Sequence, residues 1–167
     1  MFPATHNELV LAAYRWCKKN ASCGVVLKEL YTMASEYPDV IGFGSGDHSV
    51  VIECKVSRND FLADQKKPFR INPKKGMGKN RYYCCPEGLI KKEELPEGWG
   101  LIYYDGRKCY TYHQPLKEYL NRDGNTYRAI FKHKRNSKAE ARVLYSALRR
   151  ISKLGLIEEI YKVKQPS

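Results

Sequence analysis

Residues 37–56 read YPDVIGFGSGDHSVVIECKV, with Asp39 before a glycine-rich turn and Glu53 and Lys55 after it. The rest of the second half is Val50, Val51, Ile52, Cys54 and Val56, the composition of a buried strand. A carboxylate and an ammonium in such a frame are costly unless each finds a partner. A three-residue loop Ser45-Gly46-Asp47 would pair Gly44 with His48, and counting outward from that pair sets Asp39 opposite Glu53. Facing residues have Cβ atoms about 4.5–5.5 Å apart, and alternation along the strand puts Lys55 on the face of Glu53. A slip of one residue would undo the pair. Lys55 can balance one of two converging carboxylates. A divalent cation would balance the rest, and oxygen-only ligands point to Mg²⁺ or Mn²⁺. The plainer reading is an acid–lysine ion pair at the edge of an exposed sheet.

The formal net charge is +12. Residues 66–81 hold seven Lys/Arg and no acid, and residues 122–164 hold twelve Lys/Arg against four acids, while the remainder is slightly acidic. Two basic blocks on such a body suit a polyanion, nucleic acid first, over a purely solubilising surface. Lys74, Lys75, Lys79, Arg81 and Tyr82 in the first block are candidates to grip a phosphate backbone, with Phe69 and Met77 as stacking groups or ordinary hydrophobic contacts. Arg142, Arg149, Arg150 and Lys153 form a second phosphate-facing or merely solvated face. Ser57 and Arg58 follow the acidic strand closely enough to touch a phosphate, although Ser57 is equally suited to cap a helix. Asp60 and Asp64, one helical turn apart, read as surface or capping groups, Trp99 as core, and His48 and His113 as structural.

The elements that must hold these groups read as a mixed sheet flanked by helices. Thr5 and Glu8 stand in capping-box spacing before an apolar stripe of Leu9, Ala12, Ala13 and Trp16, which predicts a first helix. VVLKELYTM leans towards a strand. Strands are expected near 37–43 and 48–56, then a short helix over SRNDFLADQKK closed by Pro68. Residues 68–80, rich in Pro, Gly and Lys, read as a mobile basic loop. RYYCC, WGLIYYD and KCYTYHQP read as further strands. Ser137 and Glu140 have the spacing of a second capping box, before a helix whose face is Val143, Leu144, Ala147, Leu148, Ile151 and Leu154 and whose stop is Gly155. One domain accommodates the 167 residues. No apolar run reaches membrane-spanning length and no signal peptide is evident, so a cytoplasmic protein is expected. The six cysteines contain no C-x-x-C pair and are expected as reduced, mostly buried thiols.

The stretch PDV…VVIECKVSRNDFLAD resembles the core motif of the PD-(D/E)XK nuclease superfamily, and ECKVSRNDFLAD is similar to its MmcB-like group of bacterial DNA-repair proteins. The match covers about residues 37 to 67, extends loosely over the first helix and the strands to Tyr104, and leaves the last third without counterpart. The resemblance implies a restriction-endonuclease-like three-layer α/β/α domain and metal-dependent cleavage of DNA in repair, defence or a mobile element. Asp39 and Glu53 would be metal ligands with the Cys54 carbonyl as a third, Lys55 would orient the attacking water, and an acid on the first helix, Glu8, would complete the site. Glu8 is at the same time the capping-box acid. DNA is expected over RNA, no membrane is expected as a partner, and a homodimer is compatible with cutting both strands. Some superfamily members have lost catalysis, so a non-catalytic nucleic-acid-binding module on the same fold is the alternative.

Overall fold

The computed structural model describes residues 4–163; Lys164, the last cation of the second basic block, lies outside them. Helix α1 (His6–Asn20) opens the chain. Thr5 Oγ1 accepts from the Glu8 amide and the Glu8 carboxylate accepts from the Thr5 amide, the expected capping box. Strands β1 (Val25–Lys28), β2 (Val40–Gly44) and β3 (His48–Cys54) follow as an antiparallel meander. Gly44 pairs with His48 and Val40 with Ile52. The register expected from the loop is therefore the one adopted, with Gly46 and Asp47 supplying positive φ at 64° and 67°.

Ser57 caps α2 (Arg58–Gln65), which carries the chain over to β4 (Asn80–Pro86), parallel to β3. Strand β5 (Trp99–Tyr104) is parallel to β4, and β6 (Cys109–His113) returns antiparallel. The six strands lie in chain order in one mixed sheet. A separate hairpin, β7 (Leu116–Leu120) and β8 (Thr126–Ile130), precedes the helix labelled α4 (Ser137–Lys153).

Period-two alternation assigns the two sheet faces. Val40, Val50, Ile52, Cys54, Tyr82, Cys84 and Ile102 pack on Leu9, Val10, Ala13, Trp16 and Cys17 of α1. The opposite face buries Tyr83, Cys85, Trp99, Leu101 and Tyr103 against Phe61 of α2, and Ile41 and Val51 against Met77 and the α4 residues Ala139 and Val143. Helices thus cover both faces. The cysteines are free thiols, all buried except half-buried Cys109. Among the described residues no helix is long and apolar enough to cross a membrane.

Four expectations change. The strand expected in VVLKELYTM stops at Lys28, where Glu29 turns to φ 47° and its amide binds the Asp39 carbonyl. The segment 68–80 is not a loose basic loop: it forms α3 (Pro68–Ile71) and a 3-10 turn at Pro73–Lys75, and it buries Arg70 and Met77. The second capping box does not form, because Asn136 caps α4 while Glu140 is drawn inward to Ser49 Oγ, the Gly78 amide and Arg135. Only the start of α4 docks, so Leu148 and Leu154 on its expected apolar face stay 50% and 71% exposed.

Candidate active site

Glu53 is the penultimate residue of β3 and Lys55 the first residue beyond the strand, both pointing to the α2 face. Their side chains are 4% and 5% exposed, and Lys55 Nζ lies 3.3 Å from Glu53 Oε2. Asp39 immediately precedes β2, opposite Glu53 when the register is continued outward. Its Oδ2 accepts from the Cys54 amide at 2.7 Å, while Oδ1 is 3.5 Å from His6 Nε2. Glu53 and Lys55 therefore meet in a buried place at one end of the β2–β3 hairpin, and Asp39 lies near them with its carboxylate turned to the Cys54 amide and His6.

They do not meet alone. Arg70 of α3 reaches Glu53 Oε1 at 2.9 Å, Glu36 Oε1 at 2.5 Å and Asp64 Oδ2 at 2.8 Å, one guanidinium fork holding three buried carboxylates. The Arg70 plane also sits 4.7 Å from the Trp99 ring and 4.8 Å from the Phe69 ring. Asp64 additionally contacts Lys55 at 3.4 Å and Lys67 at 2.7 Å and accepts the Tyr83 hydroxyl at 2.8 Å. Glu36 takes the Met77 amide at 2.5 Å. Within this network Asp64 Oδ1 and Arg70 Nη2 have close ionic neighbours but no hydrogen bond of good geometry.

Burial is the strongest influence on Glu53. Arg70 and Lys55 pull against it, Asp39 reinforces it, and the carboxyl is pushed up to about 7. Burial also raises Asp39, against the Cys54 amide, Lys55 and His6. For Lys55, burial favours loss of the proton, but Glu53, Asp64, Asp60 and Asp39 outweigh it and hold the amine above its ordinary value. Asp64 goes the other way: despite burial, Arg70, Lys55 and Lys67 hold it well below the usual carboxylate range.

The remaining expected site residues disperse. Glu8 is committed to the Thr5 cap, whose bonds lower its pKa, yet it also lines a cleft of about 620 Å³ beside Val56 and Tyr104. Ser57 Oγ accepts from the Asp60 amide as a helix cap. Arg58 is forked onto Glu94, with one bond of 2.7 Å. Lys79 pairs with Asp47 at 2.6 Å, whereas Lys74 and Lys75 are exposed. Arg81 and Tyr82 cannot be surface contacts. Arg81 is fully buried, donating to the Pro73, Gly76 and Gly78 carbonyls, and Tyr82 is 3% exposed against Trp16. Burial brings the Arg81 guanidinium down to about 10. Met77 is core rather than a stacking group, as is Trp99, and His48 binds the Ala21 carbonyl.

Asp64, read as a surface group, and Glu36 and Arg70, not singled out, are residues that sequence reasoning missed. A signal existed for Asp64: it stands three residues after Phe61, on the buried face of α2. Glu36 lies in an irregular stretch with no periodicity to assign its direction.

By donor chemistry the motif suits a hard divalent cation. Asp39 Oδ1 is bound only loosely by the protein, burial raises the Glu53 carboxyl although Arg70 and Lys55 face its two oxygens, and both donors are oxygens. Among the described residues no group of three His, Cys, Asp or Glu converges for a metal, so any ion held here would complete its shell from backbone, water and substrate oxygen, as Mg²⁺ commonly does.

No family model matches the chain, and no curated protein matches it. Among solved structures it is similar to the SPO1766 protein of unknown function from Silicibacter pomeroyi, at 18% identity and a TM-score of 0.59, over 100% of this chain and 99% of that one. That likeness is one of fold.

Proposed function

We propose that the chain is a divalent-metal-dependent nuclease of the PD-(D/E)XK type, with the restriction-endonuclease-like fold, acting on DNA in repair, defence or a mobile element. The observation that supports the reading is the β2–β3 register, which sets Val40 opposite Ile52 and, carried one step outward, would face Asp39 with Glu53, together with Lys55 3.3 Å from Glu53. Asp39 and Glu53 are the residues that would hold Mg²⁺ or Mn²⁺, with the Cys54 backbone beside them. Bound there, the ion would polarise the phosphodiester and lower the pKa of an attacking water.

The protein's own contribution is charge and position. Lys55 stays an ammonium, so it acts as a donor and a positive charge near the phosphate and not as a general base. The Cys54 amide fixes Asp39 Oδ2 and leaves Oδ1 as its outward donor. Asp64 and Arg70 set the position and charge of Lys55 and Glu53 from behind.

One observation favours a second reading, a nucleic-acid-binding module without catalysis: each Glu53 oxygen already faces a cation, Arg70 on one side and Lys55 on the other. Labelled DNA and RNA of single-stranded, duplex and branched form, incubated with Mg²⁺, Mn²⁺ or chelator, separate the two. The nuclease reading expects metal-stimulated cleavage that Asp39→Asn and Glu53→Gln abolish. Salt-sensitive binding with no cleavage under either metal would leave only the binding module.

A further inference from the structure

Two clefts open one after the other along the flank of α1 that faces β6, away from the buried charge network. The first, about 360 Å³, is walled by α1 and by the β5–β6 turn. Arg15, Lys19, Arg107 and Lys108 line it and no carboxylate does. All four cations are exposed, and among the described residues none is in an ion pair. Asp105 accepts the Arg107 and Lys108 amides at 2.8 Å each, which fixes the turn that carries two of them. Block counting along the sequence conceals this cluster, because its cations come from two distant segments.

The second cleft, about 260 Å³, shares Trp16, Asn20 and Thr111 with the first and contains no Asp, Glu, Lys or Arg. Trp16 and Tyr82 bring aromatic rings 5.3 Å apart. Asn20, Asn80 and Gln114 bring three amides, each anchored through its nitrogen, to Trp16 O, Phe131 O and Tyr82 OH respectively. Among the described residues their carbonyl oxygens accept no hydrogen bond, so each remains an oriented acceptor. Cations followed by an uncharged aromatic and amide recess match the two halves of a nucleotide: phosphate, then base.

We propose that this trough binds a single-stranded segment of nucleic acid, its phosphates among Arg15, Lys19, Arg107 and Lys108 and one unstacked base in the recess edged by Trp16, Asn80 and Gln114. A base held in duplex cannot enter a recess of this kind, which is why the strand is single. The inference deepens the proposed function by naming a substrate form, and it rests on the nucleic-acid half of that reading alone.

The test is fluorescence anisotropy of a short labelled oligodeoxynucleotide in chelator, where cleavage plays no part. The double variant R107E/K108E is expected to bind at least about tenfold more weakly and to lower the logarithmic salt slope by about 1.4, the value for two lost phosphate contacts on a single strand. K91E/K92E, at exposed lysines outside both basic blocks and outside the trough, is the control and is expected to bind within about twofold of the parent. The same oligonucleotide is expected to outcompete inorganic polyphosphate and its own duplex, and Gln114→Leu to erase the preference over polyphosphate while phosphate binding persists. Unchanged affinity in R107E/K108E, or polyphosphate binding as tight as the oligonucleotide, overturns the proposal. Cleavage failing while this binding pattern holds would count against the nuclease reading only.

Discussion

Arg70 Nη2 stands 2.9 Å from Glu53 Oε1, and the same guanidinium holds Glu36 and Asp64. One side chain thus ties α3, β3, α2 and the segment before β2 together through buried charge. Removing it strands three carboxylates in the interior. Arg70→Gln is expected to lose about 3–5 kcal/mol of stability, the usual consequence of breaking a buried ion network from one side. Urea titration measures it. Arg70→Lys is expected to restore only a part, because an ammonium is a point charge and cannot fork to three acceptors.

Glu53→Gln separates chemistry from folding better than truncation does. Burial pushes the Glu53 carboxyl up to about 7, so near neutral pH a neutral amide of the same shape resembles a form that the fold already populates. Its stability is expected within about 1 kcal/mol of the parent, with cleavage at background. Lys55→Ala is a poorer probe, because it leaves Glu53 and Asp64 facing each other without the amine between them. A Glu53→Gln protein that folds and still cuts under Mg²⁺ would remove Glu53 from the site.

How far the sequence announces this arrangement depends on how local each signal is. The hairpin register follows from three loop residues, and the caps at Thr5 and Ser57 from side chains within three positions of their partners. Those were legible. The same register, carried one step beyond Val40 and Ile52, is the source of the expectation that Asp39 faces Glu53. Arg70 was not: in a stretch rich in Lys, Pro and Gly its charge reads as surface, and only the tertiary fold brings three acids round it. Glu140 shows the same competition. Its spacing from Ser137 offers a local cap, but Ser49, Gly78 and Arg135 offer more bonds from elsewhere in the chain. Arg81 lies deeper still, its guanidinium spent on backbone carbonyls of the very segment read as mobile.

Gly100 faces Tyr82 across the parallel β4–β5 pair, and a Cβ there would run into the Tyr82 ring. The missing side chain is what lets that ring lie over β5 and form the wall of the aromatic recess. Gly100→Ala is expected to lose about 1–3 kcal/mol from overpacking. In a double-mutant cycle with Tyr82→Leu the two changes are expected to couple favourably, because removing the ring removes the clash. Strict additivity in thermal unfolding would mean that the strain lies elsewhere.

His133 supplies a pH dependence outside the charge network. Its ring is 7% exposed, with Nε2 3.0 Å from the Gly98 carbonyl and Phe131 and Trp99 beside it. Burial, reinforced by the positive charge of Arg81 and opposed by the Gly98 carbonyl, brings its pKa down to about 4 from an ordinary 6.5. Above pH 6.5 the ring is neutral in both folded and unfolded chains, and its contribution is fully present. As the pH falls from 6.5 towards 4, the unfolded chain takes up a proton that the folded one refuses, so stability drops. Between pH 7 and pH 5 the parent is expected to lose about 2 kcal/mol more than His133→Gln, which keeps a donor for Gly98 but does not titrate. Urea unfolding of both proteins at the two pH values reads the difference directly. Equal losses in parent and variant would mean that the buried ring accepts its proton as readily as an exposed one.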